Sequence, residues 1–330
     1  MRILLGNNTL DILAGSETWL YTLATELIKR GHSVTAYSPQ LGLIATKLSA
    51  LGVNCVSEIA NKRIKAFSPI LEEEEGKFDV VICAHYGITH YIHEHLPEVP
   101  IIAVCHGIIH QDNETGDIFP EHPVTEFKVD QYISVSEEVQ SLLITAYGIE
   151  SEIIHNFFDL ERFKKGEILP ETPKVFAVNS NYWGVNDEIN TILRDVANHY
   201  KARFIGIGNQ FAPCFEVEEV LDKADVVIGM GRSVQEGACM GKLAIVHGRW
   251  GTGGVITPNN YEELKRCNFS GRGMESGPRP LMDAEMMIKD IDDNFNQKNV
   301  DTVYELMKDY HNVVTATDRI LEIANSLIKK

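Results

Sequence analysis

A chain of 330 residues is longer than one hydrophobic core usually supports, so two domains are expected. Its formal net charge of -17 argues against nucleic acid or an anionic membrane as a default partner, and its 44% apolar content argues against extended disorder. Six scattered cysteines without a C-x-x-C pair read as free thiols in a reducing compartment, not as a disulfide framework.

From the start of the chain, Met1-Arg2-Ile3-Leu4-Leu5-Gly6 is too short for a signal-peptide core. No apolar run approaches the roughly 20 residues of a membrane span, so a cytoplasmic location is expected. Residues 2–6 read as a buried strand. From Ser16 the apolar period becomes helical, with Leu20, Leu23, Ala24 and Leu27 on one face, and Gly31 stops the helix as a left-handed cap. Strands are predicted at 33–37, 54–56, 79–84, 101–105 and 131–135, then a helix over 136–147 with Ser136 as N-cap and Gly148 closing it.

The charged, proline-bearing stretch 164–173 is the expected boundary, giving domains 1–163 and 164–330, with the last helix packing back on the first domain. The alternation then restarts: strands at 174–178, 203–207, 225–228 and 243–246, helices at 187–200, 218–223 and 233–240. Residues 248–280, rich in glycine and proline, read as loop, and 300–330 as mostly helical. The fold class is α/β, with two doubly wound Rossmann-like domains facing each other across a cleft. That alternation does not say which doubly wound enzyme this is.

Three segments could carry chemistry. In Leu13-Ala14-Gly15-Ser16-Glu17-Thr18, Gly15 permits close backbone approach, and the helix that follows offers N–H groups to a phosphate or hydroxyl. Taken alone, Ser16 reads as a plain N-cap. His106 follows a buried strand and precedes Gly107, placing it at the carboxyl edge of the first sheet, where ligands collect in open α/β folds. The third segment runs from Asp225 through Gly231, Arg232, Ser233 and Val234 to Glu236 and Gly241, a strand, a glycine-bearing turn and a helix. Its helix start suits a diphosphate, Arg232 could grip that diphosphate, and Glu236 could hold two ribose hydroxyls or merely complement the helix dipole.

Two metal-like patterns are read as surface. Asp290-Ile291-Asp292-Asp293 falls on an acidic helix face, and His90, His93 and His95 around Glu94 do not share one helix face. No metal and no cofactor is expected.

These segments together resemble the retaining, family 4 glycosyltransferases of GT-B architecture. The likeness rests on Gly15-Ser16-Glu17-Thr18-Trp19-Leu20, Leu27-Ile28-Lys29-Arg30-Gly31-His32, Val104-Cys105-His106-Gly107, Val135-Ser136-Glu137-Glu138-Val139, 154–163 and 231–246. It implies transfer of a sugar from a nucleoside diphosphate sugar to an acceptor hydroxyl, with retention of configuration. It implies Gly15 and Ser16 facing the donor diphosphate or the acceptor, His106 beside the transferred sugar, Gly231, Ser233 and Val234 at the phosphate, and Glu236 on the ribose. In that family the departing phosphate takes the acceptor proton, and no carboxylate base stands out here.

This chain departs from the family in three ways. The first glutamate of the family's spaced pair falls on Ile228. Val178-Asn179-Ser180-Asn181-Tyr182-Trp183-Gly184 lacks the usual Arg and Lys, whose charge Arg232 would replace. The second domain is also short. A nucleotide-sugar epimerase-like enzyme and a catalytically inactive sugar-nucleotide binding or partner subunit are the alternative readings.

Overall fold

The computed structural model describes residues 1–57, 78–107, 110–111, 118–119, 123, 125–180, 188–208, 211–248, 250–273 and 279–329. Residues 181–184 of the segment lacking Arg and Lys, and 249 and 274–278 of the expected loop, lie outside them. The chain divides into two units, Met1–His155 with Val313–Lys330, and Asn156–Asn312.

In chain order the elements begin with β1 (Arg2–Gly6), α1 (Gly15–Lys29), β2 (Ser33–Tyr37), α2 (Leu43–Ala50), β3 (Asn54–Val56) and β4 (Val80–Ala84). Next come α3 (Tyr86–His95), β5 (Ile101–Cys105), a short antiparallel pair β6 (His110–Gln111) and β7 (Ile118–Phe119), β8 (Gln131–Ser134), α4 (Glu137–Tyr147) and β9 (Glu152–Ile153). Seven strands form one parallel sheet in the order β3-β2-β1-β4-β5-β8-β9. All residues of β4 and β5 are buried, as expected of central parallel strands covered on both faces.

Local signals fix the helix ends. Gly31 has φ +79, past the end of α1. Ser136 accepts a hydrogen bond from the Val139 amide at the start of α4, and Gly148 takes the left-handed cap at its end.

The second unit continues with β10 (Val175–Asn179), α5 (Glu188–His199), β11 (Arg203–Ile207), α6 (Val217–Leu221), β12 (Val226–Gly229), α7 (Arg232–Cys239), β13 (Leu243–Gly248) and β14 (Gly251–Val255). It closes with α8 (Tyr261–Arg266), α9 (Ala284–Asn294) and α10 (Gln297–Tyr310), and α11 (Val313–Ile328) follows. Its sheet runs β11-β10-β12-β13-β14, with only β14 antiparallel. Alternate residues enter opposite cores: Phe176, Val178, Val226, Ile228, Leu243 and Ile245 on one side, Ala177, Val227, Ala244 and Val246 on the other.

The structure departs from the sequence reading in several places. The chain changes unit after His155, not after residue 163. Phe158 and Phe163 explain this, since both are sealed in the core of the second unit. Residues 164–173 are irregular, yet they belong wholly to that unit. Helix α11, in contrast, lies where the sequence reading put the last helix: it groups with the first unit, where Asp318 pairs with Arg30 and Arg319 pairs with Glu152.

The expected loop 248–280 contains β14 and α8. The Asp290 carboxylate is half-buried rather than part of a solvated face. It accepts the Val255 amide of β14 at 2.7 Å and the Asn294 side chain at 2.9 Å. His93 stacks on Phe127 with ring centroids 3.6 Å apart, and the His95 ring bonds the Tyr91 carbonyl oxygen. Among the described residues no cluster of His, Cys, Asp and Glu could hold a metal ion, and no helix is long and apolar enough to cross a membrane. All six cysteines are free thiols.

Candidate functional site

In a doubly wound sheet the strand order reverses at one place. There the connections from adjacent strands leave in opposite directions and open a crevice at the carboxyl edge. In the first unit the reversal lies between β1 and β4, and in the second between β10 and β12. Both places are occupied by the residues singled out in the sequence, together with some that were not.

The first edge holds Gly15 and Ser16 at the start of α1, His85 after β4 and His106 after β5. Gly15 is exposed and Ser16 half-buried. Ser16 is not the N-cap; Ala14 holds that position without a side-chain bond. The Ser16 hydroxyl instead donates to Glu17 Oε2 at 3.0 Å and lies 3.2 Å from His85 Nε2. Glu17 is only 3% exposed. Burial raises its pKa above the ordinary carboxylate value, against smaller opposing effects from backbone, Ser16 and His85.

His85 has φ 71 and ψ 138, a backbone conformation that costs a non-glycine residue of order 1–3 kcal/mol. The His106 ring meets Trp19 edge-on at 5.2 Å, and its centroid lies 6.4 Å from that of His85. Sequence reading missed Glu17 and His85 as site residues. Glu17 was visible beside Ser16, but nothing local to His85 announces its contact across 69 positions.

The second edge is built around backbone. Strand β12 passes through Met230 and Gly231 directly into α7. Gly231, with φ 58 and ψ -135, makes a turn that a Cβ would strain, and its amide donates to the Phe269 carbonyl at 2.8 Å. Asn268 and Phe269, both at positive φ, form the facing loop. A Cβ at Gly237 would come within 2.5 Å of the Val227 side chain, so glycine lets α7 lie close on β12. The α7 start thus aims the amides of Arg232, Ser233 and Val234 along the helix axis at the switch point. Ser233 is half-exposed there, while Val234 is sealed in the core.

Glu236 Oε2 accepts the Asn179 side-chain amide at 3.0 Å, tying α7 to the end of β10. Burial raises the Glu236 pKa, opposed by the nearby Arg232 and Arg162 charges and the Asn179 bond. Arg232 departs from its expected role. Its guanidinium turns inward, donates to the Phe157 carbonyl at 3.0 Å and lies over the Phe158 ring at 4.5 Å. Burial lowers its pKa to about 10 despite the Glu236 charge. The Asn156 side-chain amide bonds Asn268 and Gln235, so the chain entering the unit, the facing loop and α7 are held together.

Ile228 is fully buried in β12. It stands where the family's first glutamate would fall, and it packs in an apolar core cluster instead. Asn179 stands at the end of β10, near where the family's basic pair begins.

This arrangement defines the class: mixed α/β with two parallel, Rossmann-like sheets, the GT-B glycosyltransferase fold. A glycosyltransferase from Rickettsia africae ESF-5 has a TM-score of 0.68 at 13% identity, covering 100% of this chain and 99% of that one. Anabaena Alr3699/HepE in complex with UDP and glucose has a TM-score of 0.65 at 12% identity, covering 99% and 100%. An alpha-glucosyltransferase in complex with UDP and a 13-mer DNA containing an HMU base has 0.56 at 10%, covering 98% and 99%. Residues 13–162 match the Glycosyltransferase Family 4 model, which bears out the resemblance read from the sequence. No curated protein matches the sequence.

Proposed function

We propose that the protein is a glycosyltransferase that moves a sugar from a nucleoside diphosphate sugar to an acceptor hydroxyl. The observation that carries this reading is the α7 start at the second switch point, where first-turn amides and the Glu236–Asn179 pair lie side by side. The amides of Ser233 and Val234 take the diphosphate, with Gly231 allowing its close approach. Glu236 takes the ribose by exchanging the Asn179 amide for sugar hydroxyls. Arg232 contributes by fixing the α7 start from beneath, not by gripping phosphate.

For the first unit, the family likeness implies that Gly15 and Ser16 serve the donor diphosphate or the acceptor and that His106 serves the transferred sugar. The bond from the anomeric carbon to the diphosphate breaks, and its electron pair leaves with the nucleotide. Fixed N–H dipoles at α7 stabilise the developing negative charge. The reading needs no metal, and Asp290 and Asp292 are already bonded to the second unit's own groups.

Two of the structural neighbours carry UDP, so UDP is the nucleotide to try first. One of them carries DNA, and this chain's net charge of -17, not its fold, disfavours a nucleic acid acceptor. Retention of configuration is the outcome the family likeness implies; NMR of the product's anomeric proton reads it directly. A cytoplasmic location is proposed on the free thiols.

Calorimetry with UDP tests the site. The wild type binds, and Glu236→Ala loses about 2 kcal/mol of affinity, about what hydrogen bonds to a buried charge contribute. Wild-type protein that binds neither UDP nor UDP-glucose contradicts the nucleotide-sugar reading. Unchanged affinity in the variant removes Glu236 from the site.

A further inference from the structure

The first unit holds a cavity of about 840 Å³ away from its switch point. The wall comes from the chain that enters β8, the end of α4 and the chain that enters β9. Strands β5, β8 and β9 are parallel, so the cavity lies at their amino ends, and His106 follows β5 at the opposite, carboxyl edge. The four residues of β8 alone set the two edges about 13 Å apart. The volume falls within the roughly 300–1,000 Å³ of small-molecule sites.

The wall interleaves aromatic rings with polar groups held in fixed directions. Phe127 is stacked on His93, with ring centroids 3.6 Å apart, and Tyr147 is half-buried in the last turn of α4. Gln140 donates to the Ser151 carbonyl at 2.7 Å, and Gln131 donates to the Tyr132 carbonyl at 2.9 Å. Each carboxamide is oriented by that one bond, and its oxygen accepts from no described group. Asp130 Oδ2 accepts the Ile101 amide at 2.9 Å, which fixes a carboxylate beside them, and Glu150 is exposed.

These groups exclude three classes of ligand. Asp130, Glu150 and Glu152 outnumber Lys128, and Arg319 offsets only Glu152, so the wall repels an anion. Among the described residues no cluster could hold a metal ion. A wholly apolar ligand would leave the carboxamides and carboxylates dry and unpaired. A neutral molecule covered in hydroxyls meets every requirement. Its O–H groups donate to the carboxylate and carboxamide oxygens, and its C–H faces lie on the aromatic rings.

We infer that this cavity binds a neutral oligosaccharide, at the edge of the first sheet opposite to Ser16 and His106. Tyr147 is the platform for a sugar ring, and Gln131, Gln140 and Asp130 read its hydroxyls. The site takes no part in bond breaking, and it stands whether or not α7 binds a nucleotide.

Amide NMR of the full chain tests it, with maltotetraose, cellotetraose and chitotetraose as neutral probes and tetragalacturonate as their acidic counterpart. At least one neutral probe should give saturable shifts at the Gln131, Ser151 and Glu152 amides, with half-saturation at about 1 mM or below. Tyr147→Leu should weaken that binding about tenfold, and Glu150→Ala about threefold. Glu150 is exposed and bonds no described group, so its variant folds whatever Tyr147→Leu does. If no neutral probe saturates those amides, or if the one that does binds both variants as tightly as the wild type, the site is overturned. Tighter saturation there by tetragalacturonate overturns its neutral class. UDP added to the same samples separates the two readings: absent UDP binding counts against the nucleotide site alone, and the saccharide shifts still decide this one.

Discussion

The carboxyl edges of the two sheets are made of different materials. The first sets Glu17 and His85 against one serine hydroxyl, with the His106 ring centroid 6.4 Å from that of His85. The second is mostly main chain: a glycine turn and the first amides of α7, with Arg232 and Glu236 already held from beneath. Protons are moved by side chains whose affinity can be tuned, and polyphosphate is held by amides that need no titration. The difference teaches that the two edges offer different chemistry, titratable side chains at one and fixed amides at the other, and that each can be perturbed by its own substitutions.

The largest effect is expected from Arg232→Ala. It deletes the bond to the Phe157 carbonyl, the contact over the Phe158 ring and the charge beside buried Glu236. Chemical denaturation should show a loss of about 3 kcal/mol, as when one member of a buried charged pair is removed. A variant of unchanged stability but poor UDP affinity would restore the outward, phosphate-gripping role.

Gly231→Ala comes next. The turn at φ 58 and ψ -135 should cost it about 2 kcal/mol of stability, with a parallel loss of UDP affinity. Full affinity there would detach the turn from the site.

Acid separates the halves more gently. His247, buried between β13 and β14 against Thr252, has its pKa lowered to about 4 from 6.5 by burial. Below 6.5 the unfolded chain takes up a proton that the folded chain refuses. The stability held above 6.5 is therefore lost progressively toward pH 4. Glu17 acts in the other direction. Its folded pKa is raised, so the folded chain binds its proton more readily, and ionised Glu17 costs stability at neutral pH. His247→Asn should flatten the acid loss, and Glu17→Gln should raise the melting temperature at neutral pH more than at acid pH. A Glu17→Gln protein that melts lower at neutral pH would mean the carboxylate is structural. The smallest change is Ser233→Ala, which keeps its amide and should leave UDP affinity nearly intact.

Much of the fold could be read from the sequence because its signals are local. Gly31, Ser136 and Gly148 punctuate helices by their own backbone preferences, and central strands such as 101–105 are continuous apolar runs. Strand β14 was missed because Gly-Thr-Gly-Gly-Val carries no alternation of large apolar residues. Its glycines serve close approach: a Cβ at Gly253 would meet Leu264 at 2.5 Å, and one at Gly254 would meet the Asp290 carboxylate at 2.8 Å. The unit boundary was misread because Phe158 and Phe163 follow a strand-like passage of the first unit yet bury in the second.

At the candidate site, Gly231 and Glu236 could be singled out from spacing along one strand, turn and helix. The inward turn of Arg232 was not, because Phe157 and Phe158 lie more than seventy residues earlier. His85 was invisible for the same reason, being brought to Ser16 only when β1 and β4 become neighbours.

The central claim is that UDP settles on the amides that open α7. Amide NMR of the full chain during UDP titration tests it most directly. The account predicts saturable shifts at Arg232, Ser233 and Val234, with Gly231 and Asn179 following and the Glu17 amide moving little. Saturable shifts confined to the first unit, with the α7 amides unmoved, would contradict it.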